Sequence, residues 1–136
     1  IRALDTRGGA VRDIVTHIAR VSDGAVLFNC TAGKDRTGII AALLLGVAGV
    51  SEAEIIEDYV LTEQMIPDLV AEFLSISRAN GGDVERYATL LQSPADTMAK
   101  MLSHIREQYG SAADYLLQSG VARPDLSRLQ DRLYGG

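Results

Sequence analysis

The sequence predicts an α/β fold, a parallel sheet with helices packed around it. On this reading the chain supplies mainly the helical C-terminal part, plus the strand that precedes an anion-binding loop. Three observations predict it. Ala25-Val26-Leu27-Phe28 is a short apolar run bounded by turn-forming residues, the pattern of a strand buried on both faces. A compact polar loop follows, and it runs directly into the apolar stretch Ile39 to Leu45. The rest of the chain carries apolar residues three and four apart, the spacing of helices.

The elements follow in order. Val11, Ile14, Val15, Ile18 and Val21 keep helical spacing, which predicts a helix from about residue 9 to residue 20, closed by Ser22-Asp23-Gly24. The strand is expected over residues 25–29. Arg36 or Thr37 is expected to open the next helix, which runs to about Gly49 and is apolar nearly all round, as a central buried helix is. Ser51-Glu52-Ala53-Glu54 is a capping box and starts a helix through Asp58-Tyr59 to about Thr62. Residues 63–80 read as helical, interrupted at Pro67 and broken by Gly81-Gly82. A short helix spans 83–91. Ser93-Pro94-Ala95-Asp96 is a further start signal, with Pro expected at the first helical position. Its helix carries Met98, Met101, Leu102 and Ile105 on one side and stops at Gly110. Ser111 opens the next helix and Gly120 closes it, and Asp125 to Leu133 is the last.

That inventory holds one strand among seven or eight helices. A lone strand leaves its own backbone N–H and C=O groups unpaired. The expectation is therefore a single domain over residues 1–136 that is incomplete, the C-terminal portion of a domain about twice this size. A missing N-terminal segment or a second chain would complete the sheet.

Composition narrows the function classes. The chain has 136 residues, a net charge of −5 and a pI near 4.9, which argues against a nucleic-acid-binding surface. Its one cysteine rules out an internal disulfide and a multi-cysteine zinc site, and His17 and His104 lie far from it in sequence. No metal or cofactor is expected. No apolar run reaches transmembrane length, so no stable membrane insertion is expected. No secretory signal opens the chain, and the expected location is the cytoplasm, with export lacking a recognisable signal left open.

The chemistry concentrates in Cys30-Thr31-Ala32-Gly33-Lys34-Asp35-Arg36-Thr37-Gly38. Strand, tight loop and helix start form an anion site, because the first N–H groups of a helix have no partner and the helix dipole adds positive charge there. The same amides stabilise a thiolate, so Cys30 is expected to ionise well below the free value of about 8.5 and to act as a nucleophile. Arg36 can fork two donors onto two phosphate oxygens. Thr37 can donate to the sulfur, and Lys34 is expected to add a charge at the rim. Asp35 is the one carboxylate that the motif offers as a general acid, and a plain ion pair with Lys34 or Arg36 is the alternative for it. The backbone of Thr31, Ala32, Gly33 and Lys34, with Asp35, Arg36 and Thr37, completes the expected phosphate-binding set. Gly33-Lys34 is not a nucleotide-binding loop: Phe28 stands where the earlier glycine belongs, and Asp35 where Ser or Thr belongs.

Cys-x5-Arg-Thr resembles the signature of the cysteine-dependent phosphatases. CTAGKDRTG, together with Asp58-Tyr59-Val60-Leu61-Thr62 and Tyr109-Gly110-Ser111, is similar to the bacterial tyrosine phosphatases of that class. The resemblance covers most of the chain. It implies phosphomonoester hydrolysis through a cysteinyl-phosphate, with Cys30 as nucleophile and Arg36 as phosphate binder. The implied substrates are phosphorylated proteins, bearing phosphotyrosine and also phosphoserine or phosphothreonine, or phosphoinositides. The family carries His before the cysteine. Here Asn29 stands there, which can hydrogen-bond but cannot carry charge. The runner-up function is a catalytically weak module that binds phospho-ligands with the same loop; a redox-sensing thiol ranks last, for want of a resolving cysteine. Met98 and Met101 read as core, His104 as surface or packing, Arg78, Arg86 and Lys100 as solvated faces with substrate recognition as the lesser reading, and Asp58 and Tyr59 as packing, with a wall of the site as the alternative.

Overall fold

A computed structural model describes residues 2–135. Among them are nine helices: α1 (Arg2–Thr6), α2 (Gly8–Arg20), α3 (Asp35–Val47), α4 (Glu52–Met65), α5 (Pro67–Ala79), α6 (Val84–Leu91), α7 (Ala95–Tyr109), α8 (Ala112–Gln118) and α9 (Arg123–Leu133). The described residues contain no strand, and the predicted parallel sheet is not formed. Residues 25–30 are irregular. Val26 and Phe28 rest partly against the core, while Leu27 between them is 91% exposed. The apolar run was legible, but a strand exists only by pairing its backbone with a neighbour. The helices close their backbone hydrogen bonds within themselves and need no such neighbour. The architecture is therefore all-helical.

α3 is the centre. Ile40, Ala42, Leu43, Leu44 and Val47 are buried on it, and it packs against α4 and α8. α4 packs on α7, α7 on α8, and α2 on α9 and α8. The predicted apolar rows do this work: Val11, Val15 and Ile18 on α2, and Met98, Met101, Leu102 and Ile105 on α7, are buried. α3 and α4 approach closely at Gly38. A Cβ added there would lie 2.9 Å from Cδ2 of Tyr59, so only glycine leaves room for that ring.

The helix starts follow local chemistry. Ser51 Oγ accepts from the Glu54 N–H, and Glu54 Oε2 accepts from the Ser51 N–H, so the capping box is present. α4 continues past Thr62 to Met65, because nothing before Pro67 breaks it. Asp83 and Ser111 cap α6 and α8 through their side chains. Pro94 precedes the first helical residue of α7 instead of occupying it, and α9 begins at Arg123 with Pro124 in its first turn. α1 carries no signal strong enough to foretell it, since five residues do not sustain a helix alone. Tertiary contacts hold it: Leu4 is buried, its carbonyl accepts from Tyr115 Oη at 3.0 Å, and Asp5 accepts from His104 at 2.8 Å and Tyr109 at 2.9 Å. Those two donors hold the Asp5 carboxyl below the usual carboxylate range. α5 is the opposite of α3. It buries no residue and packs on α6. Among the described residues no helix is long and apolar enough to cross a membrane.

Candidate active site

The site is built where the irregular segment meets the N-terminus of α3. The chain turns at Gly33, whose φ of +64° is the left-handed region that glycine enters without steric cost. The turn brings the N–H groups of Ala32, Lys34 and Thr37 onto the Cys30 sulfur. Burial works against ionisation, but those three amides and the Thr37 hydroxyl outweigh it and bring Cys30 down to about 6 from 9.0. The Thr37 hydroxyl is buried and makes no full hydrogen bond within the described chain. It is directed at the sulfur, and a thiolate is the acceptor it lacks. Asn29 reaches the carbonyl of Cys30 through Nδ2 at 3.3 Å and not the sulfur.

Arg36 lies exposed on the first turn of α3 and donates through Nη2 to Thr31 Oγ1 at 3.0 Å, bridging the two ends of the loop. Cys30, Ala32, Lys34 and Thr37 thus meet at the sulfur, while Thr31 and Arg36 form the open edge. Asp35 turns elsewhere. Its Oδ1 accepts from Lys34 Nζ at 3.0 Å and from Tyr59 Oη at 3.2 Å.

Lys34 departs from expectation. It is buried to 4% exposure and is not a charge at the rim. Its ammonium donates to the carbonyls of Leu90 at 2.9 Å and Gln92 at 2.7 Å, at the end of α6. Tyr59, read from the sequence as packing with a wall of the site as the alternative, borders the loop through Asp35. It is buried, one turn on from buried Ile55, and helical period reveals only that much. Its phenol is pushed up to about 12 by burial and by the adjacent Asp35 charge, so it stays a donor.

A cleft of about 490 Å³ opens beside Arg36, lined by α1, α2 and the Ile39–Ile40 turn of α3. A second open cleft, of about 530 Å³, lies away from the cysteine and holds Arg12, His17, Arg20 and Asp125. Both carboxylates that line it are already paired: Arg12 holds Asp13 at 2.8 Å, and Arg20 forks onto Asp125 at 2.7 and 3.0 Å, with a third bond from Arg128 at 3.0 Å. That cluster ties α2 to α9 and has no nucleophile. Among the described residues no group of three His, Cys, Asp or Glu side chains is placed to hold a metal ion.

Known proteins resemble this chain along most of its length. A family model described as the tyrosine phosphatase family matches residues 2–135. A tyrosine-protein phosphatase of Nostoc commune is 38% identical over 128 residues, covering 90% of this chain and 43% of the relative. A triple specificity protein phosphatase, PtpB, of Mycobacterium tuberculosis is 29% identical over 151 aligned positions, covering 98% of this chain and 53% of the relative. The chain spans about half the length of the curated relatives it matches.

Proposed function

The chain belongs to the tyrosine phosphatase family, and from that premise we propose that it carries the nucleophilic loop of a phosphomonoesterase. The observation that supports this best is the convergence of three backbone amides and the Thr37 hydroxyl on one cysteine sulfur, with Arg36 on the same loop. The Cys30 thiolate attacks phosphorus. The S–P bond forms as the P–O bond to the leaving group breaks, and the leaving oxygen takes the electron pair. The loop amides and Arg36 hold the phosphoryl oxygens as their charge spreads. Water then hydrolyses the cysteinyl-phosphate, and the departing sulfur returns to the Thr37 hydroxyl and the amides.

Asp35 is the proposed general acid. Both of its donors meet the same oxygen, so the proton for the leaving group would travel on Oδ2. The contact between Lys34 Nζ and Asp35 Oδ1 supports the alternative, a plain ion pair with the acid supplied from outside the loop. The proposed substrates are phosphotyrosine proteins, with phosphoserine, phosphothreonine and phosphoinositides as further candidates. We take residues 1–136 as part of one catalytic domain. Sequence or a chain beyond them is proposed to cover Leu27, which is 91% exposed, in keeping with relatives about twice as long. A cytoplasmic setting suits an easily oxidised thiolate.

Hydrolysis of p-nitrophenyl phosphate in EDTA is the test. Cys30→Ser is expected to lower turnover by about a thousandfold or more, as loss of a nucleophile does, with inorganic phosphate still bound. Phosphate binding without turnover in the unmutated chain would favour the weak binding module instead.

A further inference from the structure

Lys34 carries a charge that the proposed chemistry does not use. The chain has two lysines, and they sit in opposite settings. Lys100 is on the outer face of α7, with 71% of its side chain exposed. Lys34 is buried, and all that its ammonium meets is fixed: two backbone carbonyls at the end of α6 and Oδ1 of Asp35. The α6–α7 connection is itself held from α4, because Glu63 Oε2 accepts from the Ser93 N–H at 3.1 Å. Ser93 is buried beside Tyr59, and Tyr59 in turn donates to Asp35. The loop, α4 and the α6–α7 connection are thus joined at one buried polar junction with Lys34 in its middle.

We propose that Lys34 is a positioning residue, whose ammonium fastens the phosphate-binding loop to the α6–α7 connection and thereby aims its own amide at the Cys30 sulfur. The reason lies in the preceding residue. Gly33 has no Cβ and is free to rotate, so its backbone alone does not hold the orientation of the peptide it shares with Lys34. That peptide carries one of the three amides directed at the sulfur. Anchoring the Lys34 side chain at its far end removes the remaining freedom. A lysine so engaged is not available as a rim charge for incoming phosphate. The ionisable groups nearest the loop and its anchor are Lys34, Asp35 and Arg36 from the loop and α3, and Tyr59 and Glu63 from α4, with Asp58 lining the small cleft at Gly33 and Thr37. For catalysis the proposal rests on the phosphatase reading; for the ordering of the loop it stands without it.

Two experiments decide it. In the unmutated chain, limited acylation with an N-hydroxysuccinimide acetate, read by mass spectrometry, compares the two lysines directly. Lys34 is expected to react at least about tenfold more slowly than Lys100, with or without saturating inorganic phosphate, because a buried, hydrogen-bonded amine is shielded. Equal labelling, or protection that appears only when phosphate is added, overturns the tether. In Lys34→Met the iodoacetamide titration midpoint of Cys30 is expected to rise by about one pH unit, kcat to fall about tenfold and KM to stay within about threefold. Lys34→Arg keeps the donors and is expected to recover most of the loss, and Lys100→Met to change nothing. A raised KM with an unmoved Cys30 midpoint would instead make Lys34 a direct phosphate contact. Should Lys34→Met fail to fold, the acylation ratio still decides. Should the unmutated chain show no hydrolysis, the phosphatase reading fails, while acylation and alkylation still report on the tether.

Discussion

Cys30 divides two stretches of similar composition and opposite fate. Before it, Ala25 to Phe28 is apolar and irregular, and Leu27 points into open solvent. After it, Ile39 to Val47 is apolar, helical and at the centre of the core, with Leu43 fully buried. Hydrophobicity does not separate them. The difference is where each stretch finds partners for its backbone. A helix closes its hydrogen bonds within itself and needs neighbours only for its side chains. An extended segment needs another segment before it is a structure at all. The loop between them takes its order from the helical side: it runs straight into α3, which supplies Thr37, and its one buried charge is tied to the end of α6.

The largest effect expected on that contrast comes from the buried side. Leu43→Ala should destabilise the chain by about 2–5 kcal/mol, the cost of a cavity where neighbours cannot close in. Thermal and urea unfolding will measure it, and a loss near zero would mean that α3 is not the packing centre. An intermediate effect is expected at the loop. Iodoacetamide alkylation against pH should give a Cys30 midpoint of about 6. The sign is that of an acid held in its charged form: the thiolate contributes stability above the unfolded thiol pKa, and that contribution is lost as pH falls through about 6. Alkylation is the better readout than turnover, since a phosphate monoester ionises again near pH ~6. Thr37→Val should move the midpoint up by about one unit, roughly the worth of a hydrogen bond to a charged sulfur. An unmoved midpoint would leave the amides alone responsible. The smallest effect is expected on the exposed side. Leu27→Ser should change stability by less than about 0.5 kcal/mol, as surface substitutions do. A larger loss would show that Leu27 is covered in solution, and would bring the two stretches closer together than their exposures suggest.

What the sequence determined by itself was local. Capping residues, Pro67 and the period of apolar residues set most helices within a few positions, because each signal acts within one turn. The loop at Cys30 was equally legible as a candidate site, since the groups that meet at its sulfur lie within seven residues of it and come together by local backbone geometry. Tertiary structure decided the rest. Whether residues 25–29 pair, that α1 forms beneath Tyr109 and Tyr115, and that Tyr59 reaches Asp35 all depend on segments distant in the chain. Lys34 shows the limit most plainly. Its neighbours in sequence suggest a phosphate contact, and its partners are carbonyls 56 and 58 residues away. A charged side chain goes where its desolvation is best repaid, and only the packed chain decides where those acceptors are.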